Sequence, residues 1–254
     1  MGEIQARGEL RIGIASDRRP FGYEDDGGEG VGVTTAGLTA ELGAYVAEAL
    51  NVEPAFVPAP NDELLEMVES DDVDVAFPIT AITEPLVRHY GFTDPYWIAH
   101  QRVLGFDGRF APEDLSGERV CSFIDPETEV DLSQIEPTID IVEADDPAEC
   151  FALLRTGTPA TASDAILLGL LQGVGTSSSG SPVIGGDDLT TEGYGAAVNI
   201  ESTGLAEVVN NILQRAKDDG PWQRAVDRWL EGAEPVEPPE LTVEEAAALY
   251  PANV

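Results

Sequence analysis

The stretch Glu9–Ala15, ELRIGIA, alternates in polarity and is rich in β-branched residues, and the loop-forming segment RRPFGYEDDGGEG follows it closely. This pattern predicts a strand that ends in a surface loop. Apolar residues then recur every three or four positions over 36–50, and VDVAFPI at 73–79 is largely apolar. These segments predict a helix and a buried strand. Strands and helices therefore alternate, which is typical of an α/β unit with a parallel sheet.

A second series of strands and helices begins after residue 100. Across the chain we predict strands at 9–15, 53–57, 73–79, 101–106, 119–124, 139–143 and 193–200, and helices at 36–50, 62–69, 147–154, 165–171, 205–216 and 220–230. Residues 231–254 contain six glutamates, four prolines and no basic residue. This composition predicts an acidic, Pro-rich C-terminal extension that lies over one lobe or remains free in solvent.

The charge of the chain is extreme, with 13 basic and 48 acidic residues giving a net charge of −35 over 254 residues. Such a surface repels nucleic acid, which excludes that class of partner. Molar salt shortens the Debye length to about 3 Å, so this charge favours a protein of a very salty medium. The basic residues are 12 arginines and one lysine, Lys217. A hydrophobic fraction of 43% with regular periodicity argues against disorder.

The sequence contains no apolar run approaching the roughly 20 residues of a membrane span, and its first residues lack the apolar core of a signal peptide. Cys121 and Cys150 could form a disulfide in an oxidising compartment or remain as two buried thiols. Histidine and cysteine clusters typical of zinc sites are missing from the sequence, as is a Gly-rich phosphate loop. We therefore expect no metal, no cofactor and no catalytic residues.

Several segments occur in the order found in a known family. They are RGELRIGIASDRRPFGY, GLTAELGAYVAEALNV, DDVDVAFPITAITEP, GFTDPYWIAHQRVLGF, ERVCSFID, AECFALLRTG, SDAILLGLL, EGYGAAVNI and DGPWQRAVDRWL. The series covers nearly the whole chain and resembles family 3 of the extracellular solute-binding proteins of polar amino-acid ABC transporters, in particular the glutamate-binding branch.

The resemblance implies a type II periplasmic-binding-protein clamshell, in which two α/β lobes joined by two crossover strands close on one solute in the interlobe cleft. Lobe one would comprise residues 1–103 and 199–254, and lobe two residues 104–198. The resemblance to the glutamate-binding branch also implies a disulfide between Cys121 and Cys150 in lobe two.

The family's ligand-binding positions in lobe one are only partly matched. Leu86 occupies the position of the arginine that binds the ligand carboxylate, and Ala81 that of a supporting Ser or Thr. The lobe-one candidates are Arg18, Arg19, Phe21, Ala81, Thr83 and Arg88. Surface pairing is the alternative role for the arginines, and simple packing is the alternative for Phe21.

In lobe two the small turn that holds the carboxylate aligns with residues 125–128, which leaves Glu127 and Thr128 as candidates. Pro126 removes one N–H donor from this turn. The acid that binds the ligand ammonium aligns with Ser163 or Asp164, and Asp164 is our choice. Either residue could instead cap the following helix.

The function implied is the substrate-binding component of an ABC importer, a monomer that captures one small polar solute, an amino acid or a related carboxylate, and delivers it to a membrane permease. Its expected location is the extracellular face of the membrane, as the mature part of an exported or lipid-anchored protein. A ligand-sensing module for a signalling partner and a dehydratase-like enzyme on the same fold are the alternatives.

Overall fold

The computed structural model of the chain describes residues 1–25, 34–106, 108–125, 128–174, 180–230 and 236–250. The chain divides into two compact units: unit 1 comprises Met1–Ile98 and Glu192–Val254, and unit 2 comprises Ala99–Thr191. The chain thus passes from one unit to the other at 98–99 and back at 191–192, a few residues before the predicted 103–104 and 198–199.

Unit 1 begins with alternating strands and helices. In chain order they are α1 (Gly2–Arg7), β1 (Glu9–Ala15), β2 (Asp17–Arg18), β3 (Gly22–Asp25), β4 (Thr34–Ala36), α2 (Leu38–Ala49), β5 (Glu53–Ala59), α3 (Leu64–Glu69), β6 (Val75–Phe77), α4 (Glu84–Val87), β7 (Tyr90–Phe92) and β8 (Trp97–Ala99). Unit 2 then contains β9 (Gln101–Gly105), β10 (Arg119–Ser122), β11 (Asp140–Glu143), α5 (Pro147–Leu154), β12 (Ala160–Ser163), α6 (Asp164–Val174) and β13 (Val183–Gly185). The return to unit 1 adds β14 (Glu192–Tyr194), β15 (Ala197–Asn199), α7 (Thr203–Asp218), α8 (Pro221–Trp229) and α9 (Val243–Ala248).

The sheet of unit 1 has the order β5-β1-β6-β15-β7, with β1 parallel to β5 and β6, and β15 antiparallel to β6 and β7. Strand β1 lies inside this sheet, and Leu10, Ile12 and Ile14 are fully buried. A strand flanked on both edges and covered by helices buries both faces, which explains why ELRIGIA becomes more continuously apolar toward its end. The predicted α/β class is confirmed.

Unit 2 contains a second sheet, ordered β11-β10-β12-β9-β13, in which β10 is parallel to β11 and β12 and β9 is antiparallel to β12 and β13. Cys121 on β10 and Cys150 on α5 form a disulfide, with a Cα to Cα distance of 5.5 Å and both residues fully buried. The disulfide implied by the resemblance is therefore confirmed, and it ties a helix to the sheet of unit 2.

Some element boundaries differ from the prediction for local reasons. The predicted strand 73–79 shrinks to β6 because Pro78 follows and cannot donate to a ladder. The predicted strand 193–200 is divided into β14 and β15, which belong to different sheets. The helix predicted over 62–69 begins as a 3-10 turn at Asn61–Glu63. Helix α1 has only six residues, too few for a periodic pattern to reveal it.

The described part of the C-terminal extension, residues 236–250, packs on unit 1. The buried Lys217 Nζ donates to the carbonyls of Pro95 and Pro239, at 3.0 Å each. The backbone N–H of Val243 donates to Asp94 Oδ1 at 2.9 Å, and α9 buries two alanines against the unit. The one lysine of the chain therefore holds the start of this segment, and burial lowers the pKa of that lysine.

Candidate functional site

In unit 2 the candidate residues Ser163 and Asp164 lie where β12 ends and α6 begins. Ser163 is buried and is paired in register with Gln101 of β9. The backbone N–H of Asp164 donates to the carbonyl of His100 at 2.7 Å. In α/β sheets the carboxyl ends of parallel strands are where ligands bind, and a helix N-terminus there favours an anionic side chain.

Asp164 is half-buried, and its Oδ1 is buried without a hydrogen-bond partner among the described residues. Burial raises the pKa of Asp164 to about 6, while the charges of His100 and Arg102 act in the opposite direction. A helix-capping carboxylate would accept a backbone N–H, as Asp146 does from Ala148 at the start of α5 at 2.8 Å. Oδ1 of Asp164 makes no such bond, so this oxygen remains available for a molecule that the chain binds.

The charged groups around Asp164 are paired with one another. Arg102 donates to Asp188 Oδ1 through Nε and Nη2, at 2.7 Å each. His100 Nδ1 lies 3.0 Å from the carbonyl of Thr190 and 3.6 Å from Asp188 Oδ2. The arginine is therefore held by an acid of its own, Asp188.

Thr128 is the second candidate on unit 2, with 4% of its surface exposed and no hydrogen-bond partner for Oγ1 among the described residues. Its backbone N–H donates to the carbonyl of Asp125 at 3.1 Å. Glu127, also a candidate, lies outside the described residues. A buried hydroxyl that lacks a partner among the described residues is a polar group available to a bound molecule.

Gln101 links these two segments, and the sequence analysis missed it. Its side chain is fully buried, and it donates to the carbonyl of Val130 at 2.7 Å and accepts from the N–H of the same residue at 2.7 Å. Because Gln101 also pairs in register with Ser163, it holds both the segment 128–130 and the end of β12 at the start of β9. The available signal was a glutamine at the head of the apolar strand QRVLGF.

On unit 1 the candidate Arg18 belongs to a polar network. Its Nη1 donates to Asp17 Oδ2 at 2.5 Å, and Asp17 Oδ1 accepts from the N–H of Asn61 at 3.1 Å. The amide of Asn61 makes two hydrogen bonds to the backbone of Ile79, at 2.8 and 3.1 Å. The guanidinium is thus neutralised by its neighbour and helps to fix the loop after β1.

Arg19 and Phe21 face different surroundings although they are two residues apart. Arg19 is exposed, and its Cζ lies 3.6 Å from the ring centroid of Tyr23, a cation–π contact. Phe21 is fully buried and packs edge-to-face on Trp97, with ring centroids 5.2 Å apart. Gly37, at φ +118°, lies directly against the backbone of Phe21. A Cβ on residue 37 would lie 2.3 Å from the carbonyl oxygen of Phe21, so only glycine fits there. The structure therefore assigns Phe21 a packing contact.

Thr83 is the unit 1 residue whose surroundings most resemble those of Thr128. It precedes α4 and is 6% exposed, yet its hydroxyl neither caps the helix nor finds another partner among the described residues. Ala81 nearby is buried. Arg88 lies at the other end of α4, more than half exposed, and forms an ion pair with Glu84 one turn earlier. Thr83 and Arg88 therefore differ sharply in burial although both belong to one short segment.

Trp97 on β8 is a further residue that sequence reasoning missed. It is 3% exposed, stacks on Trp222 with centroids 6.3 Å apart, and its Nε1 is buried without a hydrogen-bond partner among the described residues. Strand β8 pairs with β14, and the N–H of Ile82 donates to the carbonyl of Gly193 on β14 at 2.8 Å. Trp97 and the segment of Thr83 are thus both anchored to β14.

Metal-binding clusters and membrane-spanning helices are both absent from the described residues. No group of three or more His, Cys, Asp or Glu side chains there could hold a metal ion. No helix there is long and apolar enough to span a membrane.

Each of the two α/β units contains buried polar atoms without partners among the described residues, and such atoms are available to a bound polar molecule. A family model for bacterial extracellular solute-binding proteins, family 3, matches residues 10–232. The chain belongs to this family. The resemblance to this family is therefore confirmed, whereas the glutamate-binding branch and the origin in a very salty medium remain predictions.

Relatives of the chain include binding proteins for amino acids. The L-cystine-binding protein TcyJ of Escherichia coli (strain K12) is 24% identical over 236 residues, covering 91% of this chain and 85% of that protein. The ABC transporter glutamine-binding protein GlnH of Bacillus subtilis (strain 168) is 23% identical over 235 residues, covering 89% and 83%. The crystal structure of a mutant of ArgBP from T. maritima superimposes with a TM-score of 0.69 at 27% identity, covering 90% of this chain and 97% of that one.

Proposed function

We propose that this chain is the solute-binding component of an ABC importer, which captures one small polar solute, an amino acid or a relative of one, and delivers it to a membrane permease. Family membership supports a solute-binding role. The observation that carries the proposal is a set of buried polar atoms without partners among the described residues. They are Thr83 Oγ1 and Trp97 Nε1 on unit 1, and Thr128 Oγ1 and Asp164 Oδ1 on unit 2.

Each of these atoms costs stability when nothing is bound, because burying an unpaired donor or acceptor costs about 1–3 kcal/mol. A solute that bonds to them recovers this energy and is favoured over water. Thr83, Thr128 and Asp164 are therefore the residues that we expect to contact the solute. Arg18 and Phe21 would act by holding the loop after β1 in place, and the exposed Arg19 and Arg88 would make no contact.

The same proposal covers partners and location. A protein of this family acts outside the cytoplasmic membrane, and we propose that this chain works there as a monomer and hands its solute to a permease. We further propose that it releases the solute chemically unchanged. Recovery of an altered molecule would instead favour the dehydratase-like alternative, and solute binding without permease-dependent uptake would favour a sensing module.

The test compares two threonines of unit 2 that differ in hydrogen bonding. Thr128 Oγ1 has no partner among the described residues, whereas Thr161 Oγ1 donates to the carbonyl of Arg102 at 3.1 Å and accepts from Gln101 at 3.2 Å. We expect Thr128→Val to leave the unliganded protein as stable as the wild type or more stable, and to weaken solute binding about fivefold, since one hydrogen bond contributes about 1 kcal/mol.

Thr161→Val is the matched control, because it leaves the carbonyl and the amide without their partner and should lower stability with or without solute. Calorimetric titration with a panel of amino acids and related compounds, followed by thermal unfolding, measures both quantities. If Thr128→Val destabilises the unliganded protein as much as Thr161→Val does and leaves affinity unchanged, Thr128 has a structural role and the proposed site is wrong.

A further inference from the structure

Three of the four arginines at or next to the candidate residues already have acidic partners, and the fourth, Arg19, is exposed and lies on the ring of Tyr23. Arg18 pairs with Asp17 at 2.5 Å, and Arg102 pairs with Asp188 at 2.7 Å. Arg88 is exposed and is paired with Glu84. A solute carboxylate that bound Arg18, Arg88 or Arg102 would have to displace the acid paired with that guanidinium group.

Asp164, the acidic candidate residue on unit 2, differs from these paired arginines. Oδ1 of Asp164 is buried and has no hydrogen-bond partner among the described residues. Thr128 supplies a second and independent observation on the same unit, since it is 4% exposed and its hydroxyl lacks a partner there too. Gln101 fixes the segments of both residues at the start of β9. This unit therefore offers a negatively charged hydrogen-bond acceptor together with a hydroxyl group.

We propose that the solute is an organic amine that carries a positive charge and needs no carboxylate, and that its ammonium group binds Asp164 Oδ1. This inference rests on the proposed function and names the class of solute. The amine would donate to Oδ1 of Asp164, and the hydroxyl of Thr128 would accept a second N–H of the same group.

The charges decide between an amine and an amino acid. A buried anion requires a compensating charge or several hydrogen-bond donors, and burying it beside Asp164 would add repulsion. A cation repays the burial of Asp164 by forming a charge-assisted hydrogen bond. An amino acid also has to desolvate its carboxylate, so removal of that carboxylate should improve binding to this site.

The experiment uses matched pairs of compounds that differ by one carboxylate. Lysine is compared with cadaverine, arginine with agmatine and glutamate with 4-aminobutyrate, by calorimetric titration of the full chain in 1 M salt. We expect at least one amine to bind tenfold or more tightly than its parent amino acid. Asp164→Asn should weaken that binding at least a hundredfold, whereas Asp146→Asn, an exposed helix cap of the same unit, should leave it unchanged.

Two outcomes would overturn the inference in distinguishable ways. If an amino acid binds as tightly as its amine or more tightly, the inference is wrong while the proposed function stands. If none of these compounds and none of a wider panel of amino acids and carboxylates binds, both the inference and the proposed function fail. Binding of an amine that Asp164→Asn does not weaken also overturns the inference, since another group must then hold the ammonium.

Discussion

Asp164→Asn should stabilise the unliganded protein, and the gain should depend on pH. The substitution keeps the size of the side chain and removes a carboxylate whose pKa burial raises from 3.8 to about 6. A difference of about 2 in pKa corresponds to about 3 kcal/mol at a pH where the group is ionised in both the folded and the unfolded chain. We therefore expect a gain of up to about 3 kcal/mol at pH 8.

The sign of the pH dependence follows from proton binding. Between pH 4 and pH 6 the folded chain keeps the proton of Asp164 while the unfolded chain has released it, so this group makes the folded state less stable as pH rises. Below pH 4 both states are protonated and the penalty vanishes. The advantage of Asp164→Asn should therefore be near zero at pH 4, grow up to pH 6 and then remain constant.

Urea unfolding of both proteins at pH 4, 6 and 8 in 1 M salt measures this advantage. Asp146→Asn provides the control, because Asp146 is exposed and its carboxylate already accepts the N–H of Ala148. That variant should be no more stable than the wild type at any of these pH values. An equal advantage of Asp164→Asn at pH 4 and pH 8, or a loss of stability at pH 8, would refute the reasoning.

Three further predictions concern the scaffold. Replacing Cys121 and Cys150 by alanine should lower the free energy of unfolding by about 3–4 kcal/mol, since the bond spans 29 residues, as denaturation with and without reductant would reveal. Lys217→Met should destabilise the chain by about 2 kcal/mol or more, because it leaves the carbonyls of Pro95 and Pro239 without their donor; Arg215→Met, on the exposed face of α7, is the control. Raising NaCl from 0.1 to 1 M should raise the melting temperature, because the Debye length falls from about 10 to 3 Å around a net charge of −35; a lower melting temperature would contradict this.

The strands and helices that the sequence revealed are those whose burial repeats regularly. Strand β1 was predicted with the bounds that the structure has, because its inner positions alternate and Pro and Gly follow. The segment GYGAAVNI was wrongly predicted as one strand, since apolar composition cannot show that Tyr194 and Ala197 belong to different sheets. That division depends on which distant strand each half meets.

The sequence predicted the positions of the candidate site residues better than it predicted their roles. Thr83, Thr128 and Asp164 were named from the order of segments, and the structure places in each of them a buried polar atom without a partner among the described residues. The burial of Phe21 was less predictable, because an aromatic residue after a proline is equally suited to a surface platform and to a core corner. Gln101 was missed because its partner, the backbone of Val130, leaves no side-chain pattern.

Hydrogen-bond satisfaction separates two kinds of buried polar side chain in unit 2. Gln101 and Thr161 are fully buried and bond to protein groups, so their burial is explained by the fold itself. Thr128 and Asp164 adjoin segments held by Gln101, yet each keeps a buried atom without a partner in the described part of the chain. The chain therefore satisfies the hydrogen bonds of Gln101 and Thr161 but loses stability at Thr128 and Asp164. Replacement of Thr128 or Asp164 by an isosteric neutral side chain would remove that loss. A bound solute gives these groups their hydrogen-bond partners. Solute binding therefore explains why the fold contains them although they destabilise the unliganded protein.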